Sequence, residues 1–211
     1  MGVAEGMLAG CFGKEVFYRG LYFYVSNDVY EPGEDTFLLA DNLDVNEGER
    51  VLDMGTGCGI LAVLSARKAS WVLAVDVNPH AVKCARENAR RNNVLEKIDF
   101  VCGDLFNSLR REQLFDLILF NAPYLPVEDK PKEWVDYAWS GGENGRSILD
   151  RFLSDAPDYL KRGGRILIVQ SSLSDIDKTL LMLREKGFRA EVVSEVKFFF
   201  EAIALIKAVK C

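Results

Sequence analysis

The chain has 211 residues, 49% hydrophobic and 27% charged, enough for one domain with a substantial core. A formal net charge of −6 disfavours a sequence-independent grip on a phosphate backbone, and no apolar run nears the roughly 20 residues of a membrane helix. The five cysteines, Cys11, Cys58, Cys84, Cys102 and Cys211, lack C-x-x-C spacing and are odd in number, so they read as free thiols in a reducing, cytoplasmic compartment, and the single His80 builds no His-based metal site or triad.

The first residues hold glycines and a Met-Leu pair but no basic stretch ahead of an apolar core, which argues against a signal peptide. The aromatic, partly alternating stretch 16–29 predicts one or two short strands. Tyr30-Glu31-Pro32-Gly33-Glu34-Asp35-Thr36 follows, then a helix over 37–43. From there strands and helices alternate. A strand over 51–54 precedes a helix over 60–68, and a strand over 71–76 leads to Asn78, a good N-cap, and Pro79, suited to a first helical turn, with that helix running to about 93. Strands follow over 98–102 and 116–120, then a long helix over 145–160 that Gly163-Gly164 ends, and a strand over 165–170. A helix over 174–186 stops at Gly187, and two strands, 189–196 and 201–209, finish the chain.

Short, nearly continuous apolar strands alternating with helices predict a parallel sheet covered on both faces. The last two strands have no helix between them and predict an antiparallel hairpin. The expected fold is therefore α/β and Rossmann-like, with seven strands, mostly parallel, and helices on both faces, the pattern of a class I methyltransferase rather than of a plain dinucleotide domain. One domain over 1–211 is expected, with 1–45 as an N-terminal extension of short strands and a helix. Ligands of such sheets sit at the carboxyl ends of the strands, near the topological switch point.

Candidate residues fall at those ends. Asp53, Gly55, Gly57 and Gly59 form D-x-G-x-G-x-G at a strand-to-helix turn, where glycine permits positive φ and close approach of a ligand to the backbone. A nucleotide site with a pyrophosphate on the helix is one reading. An aspartate inside the turn repels a pyrophosphate and suits an ammonium, which favours S-adenosylmethionine (SAM) over NAD. Asp76, ending the second of these strands, fits the two hydroxyls of a ribose or, alternatively, a capping role with Asn78 and Pro79. Asp104, past the third, is placed to accept from the adenine amino group, with Leu105 as an adjacent apolar or backbone contact; a turn-forming Gly-Asp pair is the plainer alternative.

Asn121-Ala122-Pro123-Tyr124 follows the fourth strand. An amide or aromatic amine nitrogen is a poor nucleophile because its lone pair is delocalised. Two acceptors aimed at its N–H groups would orient it and favour charge loss during methyl transfer, and the Asn121 side-chain oxygen and the Ala122 carbonyl are candidates, with Tyr124 offering an aromatic face. No metal is needed. A simple Asn-x-Pro turn is the alternative. The segment 125–137, with Pro126 and Pro131, reads as a loop or lid over the site or else as a surface connection. Phe198-Phe199-Phe200 reads as a core-facing turn. Arg90, Arg91, Arg110 and Arg111 form either a local basic face or solvated helix charges, the latter favoured.

With these motifs in view, the chain resembles class I SAM-dependent methyltransferases carrying an Asn-Pro-Pro-Tyr signature. Within them it is most similar to the HemK-type glutamine methyltransferases, in particular the archaeal and eukaryotic branch that acts on class 1 peptide-chain release factors. The resemblance runs from about Asp28 to the C-terminus and includes Val29 through Leu39 and the segment Ala138-Trp139-Ser140-Gly141-Gly142-Glu143-Asn144-Gly145-Arg146. It implies protein N5-glutamine methylation on a Gly-Gly-Gln motif, with S-adenosylhomocysteine as the product. It also implies cofactor contacts at Thr36, Asp53, Gly55, Asp76, Asp104, Leu105 and Asn121, and a small zinc-binding activator subunit as heterodimer partner, for which the edge around 98–102 is the expected footprint. The family's first proline is Ala122 here; Pro123 still biases Ala122 toward extended backbone, so weakened but not abolished positioning is implied. The region up to about Asn27 is too short for the helical substrate-docking domain of the bacterial members. Methylation of an exocyclic amino group on a flipped base of DNA or RNA, of the N6-adenine type, is the alternative activity, and a SAM-binding scaffold without turnover a further one.

Overall fold

Residues 13–211 are described by the computed structural model; Cys11 and the opening residues read for a signal peptide lie outside them. The aromatic N-terminal stretch forms an antiparallel hairpin of β1 (Gly13–Tyr18) and β2 (Leu21–Ser26), turned by Arg19 and Gly20 with φ of 49° and 80°. It is docked on the rest of the fold by the helix α3 (Pro79–Arg91) through the buried Asn88. That amide accepts from the Tyr24 N–H at 2.8 Å and donates to the carbonyls of Tyr24 and Cys58, at 2.7 and 2.8 Å. One side chain thus fixes both the N-terminal hairpin and the glycine turn.

The helix α1 (Glu34–Asp41) starts earlier than the expected 37–43. Gly33 is extended at its N-cap, and Glu34 and Asp35 in the first turn suit the positive end of the helix dipole. The strands β3 (Arg50–Met54), β4 (Trp71–Asp76), β5 (Ile98–Cys102) and β6 (Phe115–Asn121) and the helix α2 (Ile60–Ala66) lie within two residues of expectation. The Asn78 side chain caps α3 by accepting from the His80 N–H at 2.8 Å.

The long helix expected over 145–160 is shorter. Gly145, at φ 70°, keeps its start outside the helix, and α4 is Ser147–Asp155, passing into a single 3-10 turn over Ala156–Asp158. Pro157 in that turn has no N–H to carry the helix on. The following strand is correspondingly longer: β7 (Leu160–Ser171) absorbs Gly163, at φ 75°, where its register with β6 shifts. The remaining elements are α5 (Ile176–Glu185), β8 (Phe188–Lys197) and β9 (Ala202–Lys210).

The seven strands are ordered β5-β4-β3-β6-β7-β9-β8, with β3 to β7 parallel and β9 antiparallel to both neighbours. The expected parallel sheet and closing hairpin are present. Alternation along each strand splits the core in two. Val51, Leu117, Leu119, Leu167 and Val169 face one cluster, whereas Leu52, Met54, Ile118, Phe120, Ile166 and Ile168 face the other. Apolar side chains on both faces are why these strands read as continuous apolar runs. Among the described residues no helix is long and apolar enough to cross a membrane.

Phe198-Phe199-Phe200 does not face the core. Phe199 is 91% and Phe200 86% exposed. Apolar character pointed inward, but the tight β8–β9 connection lies at the end of the sheet, where no second layer among the described residues receives the rings.

Candidate active site

Chain order reverses between β3 and β6, which makes their carboxyl ends the switch point. Met54 lies opposite Phe120, so the next residues, Gly55 and Asn121, emerge side by side. Gly55, Gly57 and Gly59 have φ of 66°, 56° and 84°, a conformation costly for any residue with a Cβ. Gly59 has a second reason: a Cβ there would come within 2.7 Å of the Ala85 Cβ on α3. A cavity of about 460 Å³ opens above this turn, within the size range of small-ligand sites.

Thr36, Gly55, Gly57, Asp76, Asp104, Leu105, Asn121 and Pro123 line the cavity. Asp53, Gly59, Ala122 and Tyr124 lie behind its wall, Ala122 packed into the core at 1% exposure. Asp76 accepts from the Gly57 N–H at 2.8 Å with one oxygen and from the Asn78 N–H at 2.9 Å with the other. Capping and ligand binding are compatible here, because each carboxylate oxygen retains a further lone pair. Burial raises the Asp76 pKa, against the opposing effect of the N–H groups of Asn78, Gly57 and Val77. Asp104 accepts from Arg151 at 2.6 Å and from the Asn107 amide at 3.2 Å. Leu105, at φ 49°, is a non-glycine residue in the left-handed region, which costs about 1–2 kcal/mol and marks a place where position outweighs backbone comfort.

Asp53 is wholly buried. One oxygen accepts from the Thr56 hydroxyl at 2.6 Å, and the other has no partner among the described residues. Burial pushes its pKa to about 7, from 3.8, against the Thr56 hydrogen bond. The unfolded chain therefore ionises first, so stability falls as pH rises from about 4 through about 7 and levels off above. Asp53→Asn keeps an acceptor for Thr56 and removes the titration. It is expected to raise the melting temperature of the ligand-free protein by about 4 °C or more at pH 8 and by little at pH 4. Thermal melts at the two pH values check this, and an equal difference at both would contradict it.

The acceptor side rests on a residue that sequence reasoning missed. Asp35 is 6% exposed and gathers a set of donors. The Thr36 N–H reaches it at 2.6 Å, the Tyr124 hydroxyl at 3.1 Å and the Tyr30 hydroxyl at 3.4 Å. The Asn121 amide nitrogen donates to the same carboxylate at 3.1 Å and to the Thr36 hydroxyl at 3.2 Å. With its nitrogen so held, the amide turns its oxygen the other way. That oxygen is shielded and has no partner among the described residues. Burial first, then the Asp35 charge, raise the Tyr30 and Tyr124 phenols well above their usual range, which keeps both as donors and unsuited as bases. The only sequence signal was that Asp35 sits in the stretch 30–36, and no spacing rule links it to a residue 86 positions away.

The segment expected as a loop over the site does cover it: Pro131, Trp134 and Tyr137 line the cavity. It is braced by backbone bonds from Leu125 to Trp139 at 3.0 Å, Gly141 to Leu125 at 2.9 Å and Val127 to Gly142 at 3.0 Å. The arginines raised as a basic face are largely paired. Arg90 and Arg91 both bond Glu87, and Arg111 lies 3.4 Å from Asp158, so their charge is compensated locally, as the solvated-charge reading expects.

The model of the methyltransferase small domain matches residues 26–199. A putative protein N5-glutamine methyltransferase of Methanocaldococcus jannaschii is 42% identical over 193 residues, covering 90% of this chain and 96% of that protein. The Homo sapiens methyltransferase HEMK2 is 32% identical, covering 87% and 91%. Among solved structures, the E. cuniculi Mtq2–Trm112 complex, described as responsible for methylation of the eRF1 translation termination factor, superposes with a TM-score of 0.71 at 28% identity, over 87% of this chain and 99% of that one.

Proposed function

The chain belongs to the methyltransferase small-domain family and is a methyltransferase, and from that premise we propose that it moves a methyl group from SAM to the N5 nitrogen of the glutamine in the Gly-Gly-Gln motif of a class 1 release factor. The observation that carries this reading is the Asn121 amide, its nitrogen held by Asp35 and Thr36 and its oxygen left to accept from a planar nitrogen. The names of the similar proteins point the same way.

The cavity fits SAM by its donors and acceptors. Asp76 suits the ribose hydroxyls, Asp104 and Leu105 the adenine, and Gly55 and Gly57 leave room for the amino-acid end. Asp53 and Gly59 serve the cofactor indirectly, by holding the turn and packing α3 against it. When bound, SAM supplies an electrophilic methyl group on a sulfonium. The residues of this chain do the rest. The Asn121 oxygen accepts from a glutamine N–H group and sets the lone pair in line, while Ala122, expected as a second acceptor, is packed behind the cavity wall. The negative charge of Asp35 lies behind Asn121 and favours the positive charge that develops on the nitrogen as the sulfur–methyl bond breaks and a neutral thioether departs, a charge then discharged by loss of one N–H proton to water. Tyr124, behind the cavity wall, donates its hydroxyl to Asp35 and so helps to fix the carboxylate that holds Asn121.

A small zinc-binding subunit is proposed on the exposed edge of β5 (98–102), one of the two open edges of the sheet. The test is labelled-methyl transfer from SAM to a release factor, a Gly-Gly-Gln peptide, tRNA and DNA in parallel, with and without the small subunit. Label is expected on the glutamine of the release factor. Label on nucleic acid and never on a Gly-Gly-Gln substrate would overturn the proposal in favour of the base-methylating alternative.

A further inference from the structure

Single exposed apolar residues are ordinary, but three consecutive phenylalanines at a hairpin tip are not. The rings of Phe199 and Phe200 meet edge-on with centroids 4.6 Å apart and leave 91% and 86% of the two residues in solvent. Phe198 is 46% exposed, and Leu173, in the 3-10 turn that follows β7, is 52% exposed.

The place of this tip in the fold is informative. Ser171 ends β7 at the carboxyl edge of the sheet and lies opposite Ile203 at the start of β9, so the tip projects on the cavity side. It is held there firmly. Ser171 donates to the Glu201 carboxylate, the Ala202 N–H donates to the Ser172 hydroxyl at 3.0 Å, and the Phe198 N–H closes the turn on the Glu201 carbonyl at 2.8 Å. The 3-10 turn Ser172–Ser174 then abuts Gly145, where an added Cβ would come within 3.1 Å of Ser174 and 2.4 Å of the Tyr124 carbonyl. A continuous packed path therefore runs from the aromatic tip to Tyr124 and the acceptor amide of Asn121. The other edge strand, β5, is six strand spacings away, about 29 Å.

We propose that the Phe198–Phe200 tip is a docking surface for the folded protein substrate, with the Phe199 and Phe200 rings resting on an apolar face of the release factor beside the loop that delivers the glutamine. This rests on the function proposed above. A glutamine on a short glycine loop offers little area of its own, and rigid aromatic contacts nearby add area at low entropic cost.

The experiment compares the full chain with its Phe199→Ser/Phe200→Ser variant, each with the small subunit. Methyl transfer is measured on the whole release factor and on a short Gly-Gly-Gln peptide, together with the Kd for the release factor, co-purification of the subunit and the oligomeric state. The expected result is an approximately tenfold higher KM and Kd for the release factor, with kcat, peptide methylation and subunit binding unchanged. Equal Kd and KM for the two enzymes would overturn the docking proposal and leave the function standing. Loss of the subunit, or a change in oligomeric state, would assign the tip to a different occupant and overturn it as well. Failure of the unaltered enzyme to label either Gly-Gly-Gln substrate would instead overturn the function itself, and the docking proposal with it.

Discussion

Asn121→Ala is expected to lower kcat for methyl transfer about 100- to 1000-fold, the range seen when one preorganised hydrogen-bonding group is removed from a buried catalytic site. The loss falls on kcat because the Asn121 oxygen does little for ground-state affinity and much for the orientation of the nitrogen lone pair. The residues proposed to hold SAM are others of the cavity lining, Asp76, Asp104 and Leu105 among them, so SAM affinity is expected to change by less than about fivefold. Calorimetric SAM binding beside single-turnover methyl transfer separates the two. Unchanged turnover with SAM still bound would remove Asn121 from the acceptor site.

Asp35→Asn should come next in size, with kcat down about 100-fold although Asp35 need not touch substrate. The carboxylate oxygen that accepts from Asn121 and from Tyr124, both at 3.1 Å, becomes an NH2 group facing two donors. The Asn121 amide relieves the conflict by flipping, which presents hydrogens to the substrate amide where an oxygen is required. Asp35 is thus a positioning residue, and a purely structural role makes a different forecast. In the double variant Asp35→Asn/Asn121→Asp, amide and carboxylate trade places, so an N–H···O contact and an acceptor oxygen at the site are both restored. Turnover is expected to recover at least in part relative to Asp35→Asn alone. Recovery of thermal stability without any recovery of kcat would mean that Asp35 supports the fold only.

Ala122 bears on how large these effects can be. Its side chain is packed into the core, and Pro123 follows it at the cavity wall, so its backbone is held from both sides. Burial of Ala122 is a constraint on this stretch that the residue type alone does not convey.

The amino-acid sequence by itself determined the architecture and placed most of the strand-end candidates around one cavity. Continuous apolar runs such as 117–120 can be satisfied only by a strand buried on both faces, and Asn78-Pro79 and the glycines at 55, 57 and 59 encode their turns through local backbone preferences that hold wherever the segment lies. Local preference could not reach further. The ends of α4 and β7 depended on how β6 and β7 adjust their register around Gly163. The exposure of Phe199 and Phe200 depended on there being no layer among the described residues beyond the β8–β9 connection, so a residue type that usually signals core signals surface here. The Asp35 cluster was decided by tertiary structure alone. Its hydrogen bonds to Asn121 and Tyr124 cross more than 80 residues, and only the docking of α1 beside the carboxyl end of β6 brings a surface-type residue into a buried site where its charge has a use.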